Sequence, residues 1–276
     1  MEQIIKFPCL NLEIIVNRVA FNIFGISIYW YAIIIVLSMA LAMLIYKKQD
    51  GLYGIKFQDI IDIAMYTIPA SLICARLYYI LFNLDYYTAN PAQVLNTRSG
   101  GMAIYGGIIG GAIMCAIFCK IRKINLLNFL DYIVPALALG QAIGRWGNFI
   151  NVEAYGVETT LPWRMGIYEM GKYQEVHPTF LYESLACLII FIVLLFLKNQ
   201  RKFNGQIVCT YLLLYSFERI FVERLRTDSL MIGNIRVSQL LSILIFIASL
   251  IVYIINIFKT KKCHKSVENS NKGEET

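Results

Sequence analysis

One short segment of the chain, residues 144–156, combines the residue types that could bind an anionic phosphate ester. Its sequence GRWGNFINVEAYG carries a guanidinium at Arg145, carboxamides at Asn148 and Asn151, and a carboxylate at Glu153. Arginine offers a planar fork of N–H donors that suits a phosphate diester, and carboxamides can bond hydroxyl or ester oxygens. A glycine-rich helix end with an interfacial arginine is the alternative interpretation. Since it leaves Glu153 and both asparagines unexplained, we favour a headgroup-binding site.

Ionisable residues also occur within other apolar stretches. They are Arg76, Asp131, Glu183, Glu218, Arg219 and Glu223. A charge inside a bilayer is costly, and it usually faces the interior of a helix bundle or a water-filled cavity. Each residue could instead belong to a structural ion pair between helices. Because most of them lie toward one end of the predicted helices, we favour a functional site at that end.

The elements that carry these residues are apolar enough to cross a membrane. Of the 276 residues, 58% are hydrophobic and only 16% are charged, and the mean hydropathy is +0.60. A helix of about 20 apolar residues spans the hydrocarbon core of a bilayer. We therefore predict an all-α integral membrane protein with seven transmembrane helices. The predicted spans lie near residues 24–46, 58–83, 104–119, 128–145, 178–197, 206–223 and 237–258.

We predict one membrane-embedded catalytic domain, residues 1–258, followed by a polar and disordered cytoplasmic tail, residues 259–276. The span at 104–119 is rich in glycine and the span at 128–145 is polar, so both should pack among other helices. The loop at 146–177 is the longest outward loop. Its aromatic content argues against disorder.

Basic residues set the orientation of the spans. Lysines and arginines cluster after the first, third, fifth and seventh predicted spans, as in Lys47-Lys48 and Arg122-Lys123. By the positive-inside rule, the N-terminus is then outside, the C-terminus is cytoplasmic and the polar helix ends face outward. The net charge of +7 thus reflects topology. Since the sequence has no zinc-finger or RNP-type motif, we expect no nucleic-acid partner.

Most of the seven cysteines lie within apolar stretches, where they suit small buried side chains. We therefore expect free thiols and no metal site. The first 23 residues lack the continuous apolar core and the small-residue cleavage site of a signal peptide. We expect this N-terminus to persist in the mature protein.

Four segments, in order along the chain, resemble the prolipoprotein diacylglyceryl transferase family. Residues 144–156 resemble its signature of Gly-Arg, a variable residue and Gly-Asn-Phe, followed by Asn, Glu and a closing Tyr-Gly. The segment HPTFLYE at 177–183 is similar to the family's His-Pro-x-x-Leu-Tyr-Glu, and YWYA at 29–32 to its first-helix Trp-Tyr-Gly element. Residues 219–228 resemble its late Arg-x-x-x-Glu-x-x-Arg-x-Asp element. The resemblance covers nearly the whole chain.

This resemblance implies a transferase of the bacterial cytoplasmic (inner) membrane that takes part in lipoprotein biosynthesis. Its partners would be phosphatidylglycerol, other membrane lipid and the signal peptides of prolipoproteins, whose lipobox cysteine would receive the diacylglyceryl group. The products would be a thioether and glycerol 1-phosphate. The resemblance implies no cofactor and no metal, and the orientation given by the basic residues places the active site toward the outer face.

The resemblance also implies roles for individual residues. Arg145 looks like the headgroup-binding arginine and Arg226 like a second essential arginine, while Glu153 would orient Arg145 or accept a proton. The residues that would contact substrate, with Arg145, are Asn148, Asn151, Gly156, Tyr31, Arg76, Tyr105, His177 and Glu183. His177 could serve as a general base, but a lone histidine at a helix start is more often structural.

The chain departs from the family pattern at Tyr105. Many relatives carry a histidine there that has been discussed as a base, and an unperturbed tyrosine, with a pKa of about 10, is a poor base at neutral pH. Either another group takes the thiol proton, or Arg145 or Arg226 activates the thiol by lowering its pKa. We expect Tyr105 to be only a hydrogen-bonding contact and leave the base unassigned.

Three other functions fit part of the sequence. A transporter or channel would also bury charges, but it predicts charged pairs near mid-membrane and repeated halves, and the sequence shows no internal repeat. An intramembrane protease would need a motif such as His-Glu-x-x-His, whereas the sequence has two histidines and no such motif. A magnesium-dependent enzyme of phospholipid synthesis would need clustered aspartates, and those beside the first two spans are scattered.

Overall fold

A computed structural model describes residues 2–97, 100–233 and 235–274, with side chains described as far as residue 262. The structure is mostly helical. Its helices are α1 (Trp30–Lys48), α2 (Phe57–Leu81), α3 (Leu84–Ala89), α4 (Ile104–Ile121), α5 (Leu126–Asn151), α6 (Thr179–Leu197), α7 (Gln206–Leu225) and α8 (Val237–Glu274). Its strands are β1 (Glu2–Phe7), β2 (Leu12–Asn17), β3 (Val19–Ile23), β4 (Ile26–Tyr29), β5 (Met165–Glu169), β6 (Lys172–Val176), β7 (Met231–Ile232) and β8 (Ile235–Arg236). The prediction of an all-α fold is therefore correct for the long helices and wrong for the segments that form strands.

Within the described residues, six helices are long and apolar enough to cross a membrane. They are α1, α2, α4, α5, α6 with its extension to Gln200, and α8 as far as Lys262. The remaining predicted span, 206–223, coincides with α7. That helix carries Glu218, Arg219, Glu223 and Arg224, so its composition is too polar to identify it as a span.

Three predicted boundaries differ from the structure. Helix α1 begins at Trp30 instead of residue 24, because residues 19–29 form the β3–β4 hairpin, which turns at Phe24 and Gly25 with positive φ angles. Helix α5 continues to residue 151, so the GRWGN sequence lies within a helix and not in a loop. Packing overrides the low helix propensity of its glycines.

The third difference concerns the C-terminus. Helix α8 continues through the region 259–274, which was predicted to be a disordered tail. The polar residues there include no proline, and lysine and glutamate are good helix formers, so a helix can continue there without an apolar face.

The chain divides into two compact units, one formed by residues 1–45 with 133–276 and the other by residues 46–132. In the first unit, strands β2, β1, β5 and β6 form an antiparallel sheet in that order. Alternation along β1 and β2 buries Ile5 and Val16 on one face. These side chains and those of β5 and β6 pack against Phe149 at the end of α5 and Phe180 at the start of α6. The sheet thus covers the helix ends that carry the predicted site.

A second apolar cluster joins α5, α6 and α7 deeper in the same unit. It contains Val134, Ala138, Ile190, Leu194, Ile207 and Tyr211. This packing fixes the three helices against one another, and Tyr211 Oη also donates a hydrogen bond of 2.9 Å to Gln141 Oε1. This packing therefore also fixes the relative positions of the polar residues further along these three helices.

In the second unit, α4 packs against α2 through its glycines. A Cβ atom on Gly106 would lie 2.5 Å from the carbonyl oxygen of Cys74, and one on Gly110 would lie 2.4 Å from Cys74 Cβ. Only glycine permits this close approach, because any side chain would separate the two backbones. The prediction that the glycine-rich span packs against another helix is confirmed.

Candidate active site

Three arginines surround the buried carboxylate of Glu183. Arg145 Nη1 on α5 lies 3.0 Å from Glu183 Oε2, and Arg226 Nη1, just beyond α7, lies 3.5 Å from Glu183 Oε1. Arg219 on α7 donates a hydrogen bond to the same Oε1 atom. The side chain of Glu183 is 1% exposed, so its charge is stabilised by these guanidinium groups and not by water.

Two further carboxylates, those of Glu223 and Asp228, pair with arginines of this cluster. Arg219 pairs with Glu223 one turn later on α7. Arg226 makes a bidentate pair with Asp228, with distances of 2.9 Å from Nε to Oδ1 and 2.7 Å from Nη2 to Oδ2. Burial alone would raise the pKa of Asp228, but the hydrogen bond and charge of Arg226 hold that pKa below its ordinary value of 3.8. Each of the three arginines therefore has at least one carboxylate partner.

The arginines differ in how many of their donors are used. Arg145 makes its ion pair with Glu183 and no hydrogen bond to any other residue that the structure describes. Its side chain is 19% exposed. A guanidinium group has five N–H donors, so most of those on Arg145 remain free. An anion that approached the exposed edge of Arg145 could accept two of them in parallel.

The last turns of α5 arrange the GRWGN residues around a close contact with α1. A Cβ atom on Gly147 would lie 2.3 Å from Cδ2 of Tyr31, so only glycine leaves room for this ring. Asn148 and Asn151 stand one turn apart on the same helix. The structure thus brings Tyr31, predicted to contact substrate, directly to the predicted signature.

Glu153 follows the end of α5 and is exposed. It accepts a hydrogen bond of 3.2 Å from Asn151 Nδ2, and its backbone N–H bonds the carbonyl oxygen of Asn148. The carboxylate beside Arg145 is Glu183 and not Glu153. In this conformation Glu153 therefore orients Asn151.

Gly156 lies in a segment that connects the start of α6 with the end of α7. Its N–H donates to the carbonyl oxygen of His177, while the next residue, Val157, donates to the carbonyl oxygen of Leu225 at 2.7 Å. Gly156 also forms an antiparallel bridge with Arg226. A Cβ atom on Gly156 would lie 2.7 Å from His177 Cβ. The absence of a side chain at Gly156 thus allows the backbone pairing that holds Arg226.

The same segment lines a cavity of about 580 Å³. Its other walls come from β5, β6 and the residues after α7, including Asp228. Since Asp228 pairs with Arg226, this cavity adjoins the arginine cluster. Its size is within the range of small-molecule sites.

Two predicted site residues, Arg76 and Tyr105, belong to the 46–132 unit. Arg76 on α2 is buried and donates five hydrogen bonds of 2.6–3.0 Å to backbone carbonyl oxygens of residues 93–101. All its donors are therefore used in organising this loop. Its guanidinium carbon also lies 5.2 Å from the ring centroid of Tyr87. Tyr105 lies in the first turn of α4.

Sequence reasoning missed the full extent of the cluster. Arg219 and Glu223 were included among the ionisable residues expected to gather at a functional site, and Asp228 was noted as part of a motif, but none was given an individual role. The Arg-x-x-x-Glu spacing favours pairing of Arg219 with Glu223, because residues i and i+4 are neighbours on a helix. The role of Glu183 as the carboxylate common to three arginines depends on contacts between helices, and spacing along the chain does not reveal it.

Comparisons with known proteins identify the family of this chain. The family model described as prolipoprotein diacylglyceryl transferase matches residues 18–255. A protein of Finegoldia magna named phosphatidylglycerol--prolipoprotein diacylglyceryl transferase is 50% identical over 239 residues, which are 86% of this chain and 95% of that protein. Proteins with the same name from Clostridioides difficile and Enterococcus faecalis are 49% and 43% identical, and cover 86% and 87% of this chain and 94% and 90% of their own lengths. The chain therefore belongs to the prolipoprotein diacylglyceryl transferase family.

Proposed function

We propose that this protein transfers the diacylglyceryl group of phosphatidylglycerol to the thiol of the lipobox cysteine in prolipoproteins, the first step of lipoprotein maturation. The observation that supports this proposal best is the group of three arginines around Glu183 in a member of this family. The phosphodiester of phosphatidylglycerol is the anion that such a group would bind. Arg145, with its free donors, makes the first contact.

In the proposed reaction, the cysteine thiol gives up its proton, which ends on water or on the departing phosphate, and the sulfur attacks the glyceryl carbon that bears the phosphate. The C–S bond forms as the C–O bond breaks, and the electron pair of the broken bond goes to the phosphate oxygen. Glycerol 1-phosphate leaves, and the lipid remains attached through a thioether. Charge builds on the departing phosphate, so Arg145, Arg226 and Arg219 stabilise the transition state more than the bound lipid.

The carboxylates of the cluster act indirectly. Glu183 holds the three guanidinium groups in place, and Asp228 orients the fork of Arg226. Asn148, Asn151, Tyr31 and the Gly156 backbone contact the glycerol and ester oxygens. Glu153 remains a catalytic candidate because it is exposed beside Asn151. Contact of Arg76 and Tyr105 with substrate stays a prediction from the family resemblance.

In the membrane arrangement that we propose, α7 is also a span, the sixth of seven. It packs against α6 and α8, and its Arg219 pairs with Glu183 on α6 and with Glu223 on α7 itself, so these charges do not face lipid. The N-terminus lies outside and the C-terminus in the cytoplasm of a bacterium, which places the arginine cluster toward the outer face of the cytoplasmic membrane. The partners are membrane lipid and prolipoprotein signal peptides, with no nucleic acid.

The test is transfer of labelled diacylglyceryl from phosphatidylglycerol vesicles to a lipobox peptide by the purified full-length protein. We expect both a thioether product and free glycerol 1-phosphate. A peptide with serine in place of the lipobox cysteine is the matched control and should receive no lipid. Absence of both products with a competent cysteine peptide would refute the proposal.

A further inference from the structure

His177, Tyr182 and Trp163 form a chain of hydrogen bonds beside the arginine cluster. Trp163 Nε1 lies 2.7 Å from Tyr182 Oη, and Tyr182 Oη lies 3.2 Å from His177 Nδ1. Trp163 lies in the loop before β5, Tyr182 lies on α6, and His177 lies two residues before α6 begins. The arrangement constrains which atoms carry protons.

The direction of the chain follows from its tryptophan. An indole N–H can only donate, so Tyr182 Oη accepts from Trp163. The single hydroxyl proton of Tyr182 then has one acceptor among the described residues, which is His177 Nδ1. If Nδ1 carried a proton instead, Tyr182 would accept twice and its own proton would have no partner there. Hydrogen bonds that run in one direction also polarise one another favourably.

We infer that Trp163 and Tyr182 hold His177 in the neutral tautomer with its proton on Nε2, so that His177 donates a hydrogen bond to an oxygen of the bound lipid and does not remove the thiol proton. This inference rests on the proposed function, and it defines the role of a residue predicted only to contact substrate. Trp163 and Tyr182 are positioning residues.

The surroundings of His177 agree with this role. Burial lowers the pKa of His177 from its ordinary value of 6.5, so the imidazole is neutral at pH 7.5. Nε2 forms no hydrogen bond with the residues that the structure describes. The backbone of His177 pairs with Gly156 and Val157, and Val157 in turn pairs with Leu225, next to Arg226. The free N–H therefore belongs to the segment that borders the proposed phosphate site.

Substitutions distinguish a donor from a base. The amide nitrogen of glutamine can replace an Nε2 donor but cannot accept the thiol proton. We expect His177→Ala to lower kcat/KM by about tenfold to a hundredfold, the loss expected for one hydrogen bond to a charged group. His177→Gln should stay within about fivefold of the wild type, because the donor is kept. If the glutamine and alanine variants are equally impaired, the donor role is refuted.

Nuclear magnetic resonance of 15N-histidine-labelled protein tests the tautomer without any turnover. The sequence has two histidines, and His264→Ala, which should leave activity unchanged, removes the second set of signals. At pH 7.5 we expect a protonated Nε2 and an unprotonated Nδ1 for His177, and a mixture of tautomers in Tyr182→Phe. A protonated Nδ1 in the wild type would overturn the inference. Absence of thioether formation in the wild type would instead refute the proposed function, since the resonance result does not depend on catalysis.

Discussion

Each unit of this molecule holds an arginine with little exposure to water, buried Arg76 in one and partly buried Arg145 in the other, but their partners differ. In the 46–132 unit, Arg76 gives all five of its donors to backbone carbonyl oxygens. In the other unit, Arg145 meets the carboxylate of Glu183 through one nitrogen, and its remaining donors are free of the described residues. When all the donors of an arginine bond to backbone carbonyl oxygens, the arginine orders a loop and has no donor left for a ligand. A single carboxylate holds the arginine in place and leaves it able to bind another anion.

The comparison shows that burial of a charge does not by itself identify a binding site. Both Arg76 and Arg145 are ionisable residues in apolar stretches, and the family resemblance assigned both to substrate. In the structure the two arginines differ in how many of their five N–H donors are already bonded. Four substitutions test this separation, beginning with the one that should have the largest effect.

Glu183→Gln should impair both folding and activity. It removes the charge that is common to three arginines and leaves them with an excess of positive charge in a buried site. Breaking a buried ion pair costs about 3–5 kcal/mol, so the thermal unfolding temperature in detergent should fall markedly and transfer should be lost. Glu158→Gln, at an exposed position, is the matched control. An unfolding temperature like that of the control would mean that Glu183 is not the anchor of the cluster.

Arg145→Lys keeps the charge but removes the planar fork. If Arg145 binds the headgroup through its free donors, kcat/KM should fall by about a hundredfold or more. The unfolding temperature should change little, because lysine can still pair with Glu183. Equal activity of the lysine variant would show that charge alone is sufficient and would argue against a bidentate phosphate contact.

Arg76→Lys should disturb the structure more than the activity, which is the opposite of the result expected for Arg145→Lys. Lysine has three donors, so at least two of the five carbonyl oxygens would lose their partner, at about 1–3 kcal/mol for each buried group. Limited proteolysis should therefore cut near residues 93–97 faster than in the wild type. Transfer activity should fall less than in Arg145→Lys. If Arg76→Lys kept full protection of the loop but lost activity, Arg76 would act on the substrate as Arg145 does, and not only on its own loop.

These contrasts also show how far the sequence determines the structure. The positions of most long helices follow from apolar stretches, since about 20 such residues suffice for a span. The β3–β4 hairpin was missed because its strands are as apolar as the start of α1. The signature was placed in a loop because glycine usually ends helices, whereas Gly147 is retained inside α5 to admit Tyr31.

The site was predictable in its residue types but not in its pairings. Motif spacing located Arg145, Arg226 and Glu183, but it suggested Glu153 as the partner of Arg145. The actual carboxylate comes from another helix, and only the packing of α5 on α6 brings Glu183 and Arg145 together. The five acceptors of Arg76 are backbone atoms, which have no signature in the sequence.

Asp228→Asn should have the smallest effect of the four, and it tests whether Arg226 resembles Arg145 or Arg76. Arg226 has two partners, Glu183 and Asp228, so losing one leaves it anchored. The side chain of Asp228 is 49% exposed, which limits the stability that its pair contributes to about 0.5–1 kcal/mol.

The pH dependence of this effect has a definite sign. The pKa of Asp228 is lowered in the folded protein, so its pair with Arg226 contributes fully above the ordinary value of 3.8 and is lost as the pH falls below it. Unfolding temperatures of the wild type and of Asp228→Asn should therefore differ at pH 7 and converge as the pH falls below that ordinary value. If Asp228→Asn reduces transfer as strongly as Arg145→Lys does, Arg226 needs both carboxylates to present its donors. The binding site would then extend from Arg145 to the cavity beside Gly156.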